Sequence, residues 1–191
     1  MLRKLAFFLM LIFPLSSFSA SESFTIDPNH SYPNFKINHL GFSTMHGRFG
    51  KTTGKLNIDR LAKTGSVDVV IDASSINTGM KKRDDHLRSP DFLNAAEFPD
   101  ITYKSDKVTL HDDGSGRVDG RLTIMGVSKA VSLAITSMHC GIHPFDPAKK
   151  KYVCGFNASA LIKRSEFGVT YGAPGIGDEM ELEIEIEAIR D

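Results

Sequence analysis

Apolar and polar residues alternate along most of the chain beyond residue 20, most plainly near the C-terminus. Met180, Leu182, Ile184 and Ile186 interleave with Glu179, Glu181, Glu183, Glu185 and Glu187. Successive side chains of a strand point to opposite faces, so this segment is a strand with one dry face and one column of carboxylates. A helix would scatter the glutamates around its circumference. The same period of two runs through Phe35 and Ile37, through Val67, Val69 and Ile71, and through Val118, Gly120, Leu122 and Ile124. It returns in Val131, Leu133 and Ile135, and in Phe156, Ala158 and Ala160. Turn residues separate the runs at Asp112 to Gly116, at Met125-Gly126 and from Pro144 to Pro147.

One segment departs from the alternation. Residues 81–94 are densely charged, carry Leu87, Phe92 and Leu93, and contain Ser89-Pro90-Asp91. This reads as a helical connector, broken once, with Ser89 before Pro90 starting a second short helical turn. The chain is therefore expected to be all-β and antiparallel, with about eight strands and one short helical connector. Strands with a dry face and little helix to cover them close as a sandwich or as a barrel. A barrel of about eight strands is just wide enough to be filled by its own side chains or to hold one slender ligand. Small residues on the dry face, Gly120, Ala158 and Ala160, favour the hollow form, although a glycine in a strand equally marks a bulge.

The first twenty residues are a separate unit. Arg3 and Lys4 precede an apolar run from Leu5 to Leu15, and Ser16 to Ala20 offers small residues for cleavage near 19–21. This is the pattern of a secretory signal peptide, too short in its apolar part to span a bilayer comfortably. It leaves residues 21–191 as the mature domain, in an oxidising compartment such as the periplasm. The 191-residue chain has 23 basic and 23 acidic side chains, and loss of Arg3 and Lys4 leaves the remainder at −2. That balance argues against a nucleic-acid binder that depends on a basic face.

Candidate chemistry is sparse. Cys140 and Cys154 flank a loop at the ends of two expected strands, where a cross-hairpin disulfide is natural. The rival is a zinc site made from them with His139 and His143, but the spacing matches no standard zinc pattern and the compartment favours the disulfide. His39 follows Phe35 and Ile37 at period two, either as a satisfied core histidine or as a polar group inside a cavity. By the same alternation Phe35, Ile37, His39, Leu122, Ile124, Leu133, Phe156, Ala158 and Ile184 share the inward side. Arg83, His86, Asp91 and Phe92 of the connector sit either on a solvated, ion-paired surface or at the mouth of a barrel, with His86 and Asp91 as candidate acid–base groups. There is no Gly-x-Ser-x-Gly, no phosphate-cradling glycine loop and no His-Glu-x-x-His, so no catalytic residue, metal or cofactor is expected.

Several motifs in order carry a resemblance. They are His30-Ser31 and His39-Leu40-Gly41, then Arg83-Asp84 with His86-Leu87-Arg88-Ser89 and Asp91-Phe92-Leu93. Gly120 with Leu122-Thr123-Ile124, Arg164-Ser165, Phe167-Gly168 and Asp178-Glu179 follow. Together they resemble the YceI family of lipid- or polyisoprenoid-binding proteins with a lipocalin-like barrel. Ala130 and Glu166 depart mildly, where that family often has proline and aspartate. The resemblance implies a periplasmic protein that carries or sequesters an isoprenoid lipid, such as a quinone or its precursor, in an apolar barrel. Lipid exchange would bring it into transient contact with a membrane or a membrane protein. Two alternatives stay open: an enzyme acting on such a lipid through His39, His86 or Asp91, and an extracytoplasmic β-domain with a filled core.

Overall fold

A computed structural model describes residues 21–191; the expected signal peptide, residues 1–20, lies outside the described residues. The alternating runs form the strands β1 (Glu22–Ile26), β2 (Tyr32–His39), β3 (Ser43–Phe49), β4 (Thr52–Asp59), β5 (Thr64–Asp72) and β6 (Ile76–Asn77). After one helix, α1 (Lys81–Leu87), come β7 (Asp100–Leu110), β8 (Gly116–Ile124), β9 (Val127–Ile142), β10 (Tyr152–Lys163) and β11 (Ile176–Arg190). Neighbours pair in the order β1–β4–β5–β7–β8–β9–β10–β11, and β11 pairs back onto β1. The result is a closed, eight-strand antiparallel barrel with one short helix, not a sandwich. Closure leaves this ring without an edge, the usual reason that a half-dry meander curls on itself.

The remaining strands prolong the ring. β1 and β2 lie end to end along β11, with Ile26 opposite Ala188 and Tyr32 opposite Glu185. β4 likewise continues β3 after Gly50 and Lys51, and β6 continues β5 beyond a 3-10 turn at Ala73–Ser75. Three of the eight staves are thus interrupted, at Asp27 to Ser31, at Gly50-Lys51 and at Ala73–Ser75. The interruptions are stitched by hydrogen bonds. Gly50 N–H donates to Ser75 O (3.1 Å) and Asp72 N–H to Lys51 O (3.0 Å). The buried Ser31 hydroxyl donates to Glu187 O (3.1 Å) and accepts Glu187 N–H (3.2 Å).

Cys140 and Cys154 face each other across β9 and β10 and are joined as a disulfide, with Cα atoms 4.1 Å apart. Both sulfurs are spent in that bond, so the zinc alternative loses half its donors. A disulfide also fits an oxidising, extracytoplasmic setting.

Two inward glycines have a local cause. A Cβ on Gly47 would stand 2.2 Å from Cζ of Phe35, whose ring lies across it. A Cβ on Gly120 would meet Lys104 O at 2.5 Å and the Tyr103 ring at 2.9 Å. Tyr103 needs that berth, because its one hydroxyl proton is shared between Val118 O (3.0 Å) and Val131 O (2.9 Å), and burial pushes its pKa up. Gly120 therefore marks close packing by an aromatic ring, not the open space that its size first implies.

Candidate functional site

A cavity of about 410 Å³ occupies the barrel. Its floor is made by the fully buried Ile58, Leu110 and Ile135, all near the end where the chain enters β1. Higher up, Ile37, Leu133, Phe156, Leu182 and Ile184 point inward and yet are only half-buried. Their inner faces meet open space rather than other side chains. The walls belong to alternating residues of every stave, so the same pattern that closes the barrel makes its interior apolar. Phe35, Ile37, His39, Leu122, Ile124, Leu133, Phe156, Ala158 and Ile184 all line the cavity.

The connector sits at the other end and completes the wall. β6 is two residues long and pairs only with Arg48 and Phe49, so Ser43 to Gly47 of β3 have β2 as their one strand neighbour among the described residues. Residues 78–99 leave β6 at this point and run to β7. Gly79, at φ 79°, turns the chain out of β6 and into α1. The buried Asp84 carboxylate accepts Thr78 N–H (2.8 Å) and anchors the helix to the strand that precedes it. Beyond α1 the expected second helical turn is only a turn. Phe92 N–H (3.0 Å) and Asn94 N–H (2.9 Å) both donate to Ser89 O, and Leu93 N–H bonds back to Leu87 O (3.1 Å). This fold-back buries Phe92 and places it with Leu87 and Leu93 on the cavity.

Polar side chains collect at this mouth. His39 lines it, and its imidazole has no hydrogen-bond partner among the described residues. Arg83 lines it with Nε donating to Thr78 Oγ1 and Nη2 to Thr78 O, both 2.7 Å, and meets no carboxylate among the described residues. His86 Nε2 lies 2.8 Å from Asp91 Oδ2. The His86 ring also stands edge-on to Phe92 (5.0 Å) and Tyr171 (5.1 Å), and those two rings are 5.1 Å apart. Arg83, His86 and Phe92 reach the cavity, whereas Asp91 stands behind His86 and does not line it. The connector's outer face is ion-paired and its inner face is cavity wall.

Two further mouth residues are not among the candidate site residues: Arg164, known only as part of a motif, and Tyr171. Arg164 is buried and gives its guanidinium to four backbone carbonyls: Gly177 (2.8 Å), Val169 and Tyr171 (2.9 Å each) and Ile176 (3.0 Å). Burial pulls its pKa down from the usual arginine value, but a guanidinium stays charged in any such site. Arg164 pins the loop between β10 and β11 and thereby sets Tyr171 against His86. The resemblance flagged Arg164, but nothing local in the sequence says that a charged residue turns inward. Tyr171 lies in a glycine-rich loop with no period to read.

With this geometry in view, the chain can be placed among known proteins. The family profile described as "YceI-like domain" matches residues 24–188. Protein YceI of Salmonella agona is 34% identical over 186 residues, covering 96% of this chain and 94% of that protein. The crystal structure of a Campylobacter jejuni YCEI protein matches at TM-score 0.68 and 31% identity, over 81% of this chain and 90% of that one. A polyisoprenoid binding domain from Saccharophagus degradans, implicated in plant cell wall breakdown, matches at TM-score 0.62 and 17% identity. It covers 89% of this chain and 99% of its own, a likeness of fold alone.

Proposed function

The chain belongs to the YceI-like domain family, and we propose that it is a binding protein that carries or sequesters a polyisoprenoid lipid in its barrel, in the periplasm. The observation that carries this reading is the largely apolar cavity of about 410 Å³, whose upper wall side chains such as Ile37, Leu133, Phe156 and Ile184 are only half-buried. That volume falls in the range of roughly 300–1,000 Å³ typical of small-molecule sites. A slender prenyl tail fits a barrel of this width, with the head group left near His39, Arg83 and His86. Each buried CH₂ contributes about 0.8 kcal/mol. Affinity saturates near −18 to −21 kcal/mol, so only part of a long tail needs cover. The signal-like first twenty residues and the disulfide support an oxidising compartment outside the cytoplasm.

The test is organic extraction of protein purified from that compartment, followed by mass spectrometry. A co-purified polyprenyl species is expected. Repeated absence of lipid, together with failure to take up an added fluorescent prenyl probe, would overturn the reading and leave a β-domain without cargo.

A further inference from the structure

Large apolar side chains are exposed around the open end of the barrel. Phe42 is 90% and Leu40 52% exposed on the turn between β2 and β3. Met80, just before α1, is 50% exposed, and Tyr171 is 48%. These residues come from three separate segments and share one rim. Leu40 N–H donates to Gly175 O (2.8 Å), which joins the first turn to the loop that carries Tyr171. Tyr171 in turn packs on His86 of α1, the helix that Met80 precedes. His39, next to Leu40, already faces the cavity. The rim is therefore continuous with the site.

The helix side carries a small excess of positive charge, Lys81, Lys82, Arg83 and Arg88 against Asp84, Asp85 and Asp91. Lys81 and Lys82 are exposed beside Met80, and the carboxylates nearby are engaged, Asp85 by Lys81 and Arg88 and Asp91 by His86. Exposed aromatic and aliphatic side chains flanked by lysines are the composition that enters the head-group region of an anionic bilayer.

We propose that the open end of the barrel docks on an anionic lipid bilayer, with Leu40 and Phe42 entering the acyl boundary and Lys82, which unlike Lys81 has no carboxylate partner among the described residues, resting on the head groups. This rests on the lipid-carrier reading for its purpose: a tail passing from membrane to barrel stays out of water only if the mouth is flush with the bilayer. The opposite end supplies the contrast. Phe145, on the β9–β10 turn, is 88% exposed and has Lys149 and Lys150 near it in sequence, but it lies beyond the floor of the cavity.

The experiment is co-sedimentation of the mature protein with vesicles of phosphatidylethanolamine and phosphatidylglycerol in equal parts, against phosphatidylcholine alone. The wild type is expected to partition onto the anionic vesicles. Leu40→Ser/Phe42→Ser should weaken that partition on the order of tenfold or more, since two buried apolar side chains are lost. Lys82→Glu should remove the preference for anionic vesicles. Phe145→Ser should stay within about twofold of wild type. All three sites are exposed, and unchanged melting curves check the fold; Phe42→Ser alone serves if the double variant melts early. No association of the wild type with either vesicle overturns the proposal, as does a loss in Phe145→Ser equal to or greater than that in the rim variant. Cargo extraction is scored separately. Rim-dependent vesicle binding by a protein that never carries lipid supports docking and removes the carrier reading, whereas lipid-loaded protein that ignores vesicles does the reverse.

Discussion

Replacing Ala158 by tryptophan separates a hollow barrel from a filled one. Ala158 lies on β10 between Ile184 of β11 and Ile135 of β9, with its side chain on the cavity wall. An apolar cavity of roughly 150 Å³ holds a benzene ring. An indole therefore takes at least about a third of the 410 Å³ available here. Ile135 is buried, but Ile184, Phe156 and Leu182 are half-buried, so the open space that takes the ring lies on the β11 side of Ala158. Displacing a single five-carbon unit of a prenyl tail forfeits up to about 4 kcal/mol, which is nearly a thousandfold in Kd. The expected result is a folded variant with a melting temperature close to wild type and a severe loss of prenyl-probe binding. In a filled core the same change overpacks and costs about 1–3 kcal/mol, which lowers the melting temperature of a domain this size by roughly 2–12 °C. The control is Ser159→Trp, one residue along and facing outward between Glu183 and Ala134. Differential scanning fluorimetry and fluorescence titration on the three proteins read both quantities. A melting loss in that range for Ala158→Trp with probe binding intact refutes the hollow barrel. Loss of binding in Ser159→Trp alone refutes the facing of β10.

Removing the Cys140–Cys154 bond with paired serines should cost about 3 kcal/mol in denaturant unfolding, and the denatured, unreduced wild type should show no free thiol; two titratable thiols would refute the pairing. His86→Ala removes an exposed pair with Asp91 and the ring between Phe92 and Tyr171, so a loss of about 1–2 kcal/mol with reduced lipid loading is expected. Bound lipid should be chemically unchanged by mass spectrometry, and a product made by the wild type but not by this variant would identify an enzyme instead. Asp178 accepts the backbone N–H and hydroxyl of Ser165, and Asp146 accepts the backbone N–H groups of Lys151 and Lys150, which holds both carboxyls below the usual range. Such depressed groups stabilise the fold above the unfolded pKa of about 4 and lose that effect as pH falls through the folded value. Melting temperature should therefore drop below about pH 4, and a rise on acidification would refute these contacts.

The barrel was legible because period two is a tertiary fact written locally: each of Val118, Leu122, Leu133, Phe156 and Ile184 faces inward because its neighbours face water. The breaks in the staves were not, since nothing in Gly50-Lys51 says that β4 takes up β1 where β3 leaves β2. The bulge in β7 between Ser105 and Lys107 was hidden too. It shifts the inward set from Ile101 and Tyr103 to Val108 and Leu110, and alternation alone does not announce a change of phase. At the mouth, sequence identified the connector and its chemistry but not its partner. Tyr171 meets His86 only because Arg164, some distance along the chain, gathers four carbonyls around itself.

The interruptions in the three staves sit at one level of the barrel and make a crease around that side of it. Below it the side chains are fully packed, with Phe24 and Ala188 at 0% exposure and Ile26 at 3%. Above it Ile37, Met45 and Phe49 are half-buried, and at the crease itself a few isolated hydrogen bonds replace the ladder. The two tiers need not share one opening free energy. Amide protons above the crease can exchange through local opening while those below wait for global unfolding. Hydrogen exchange that protects the lower tier more strongly than the wall around the mouth is the signature of such a division.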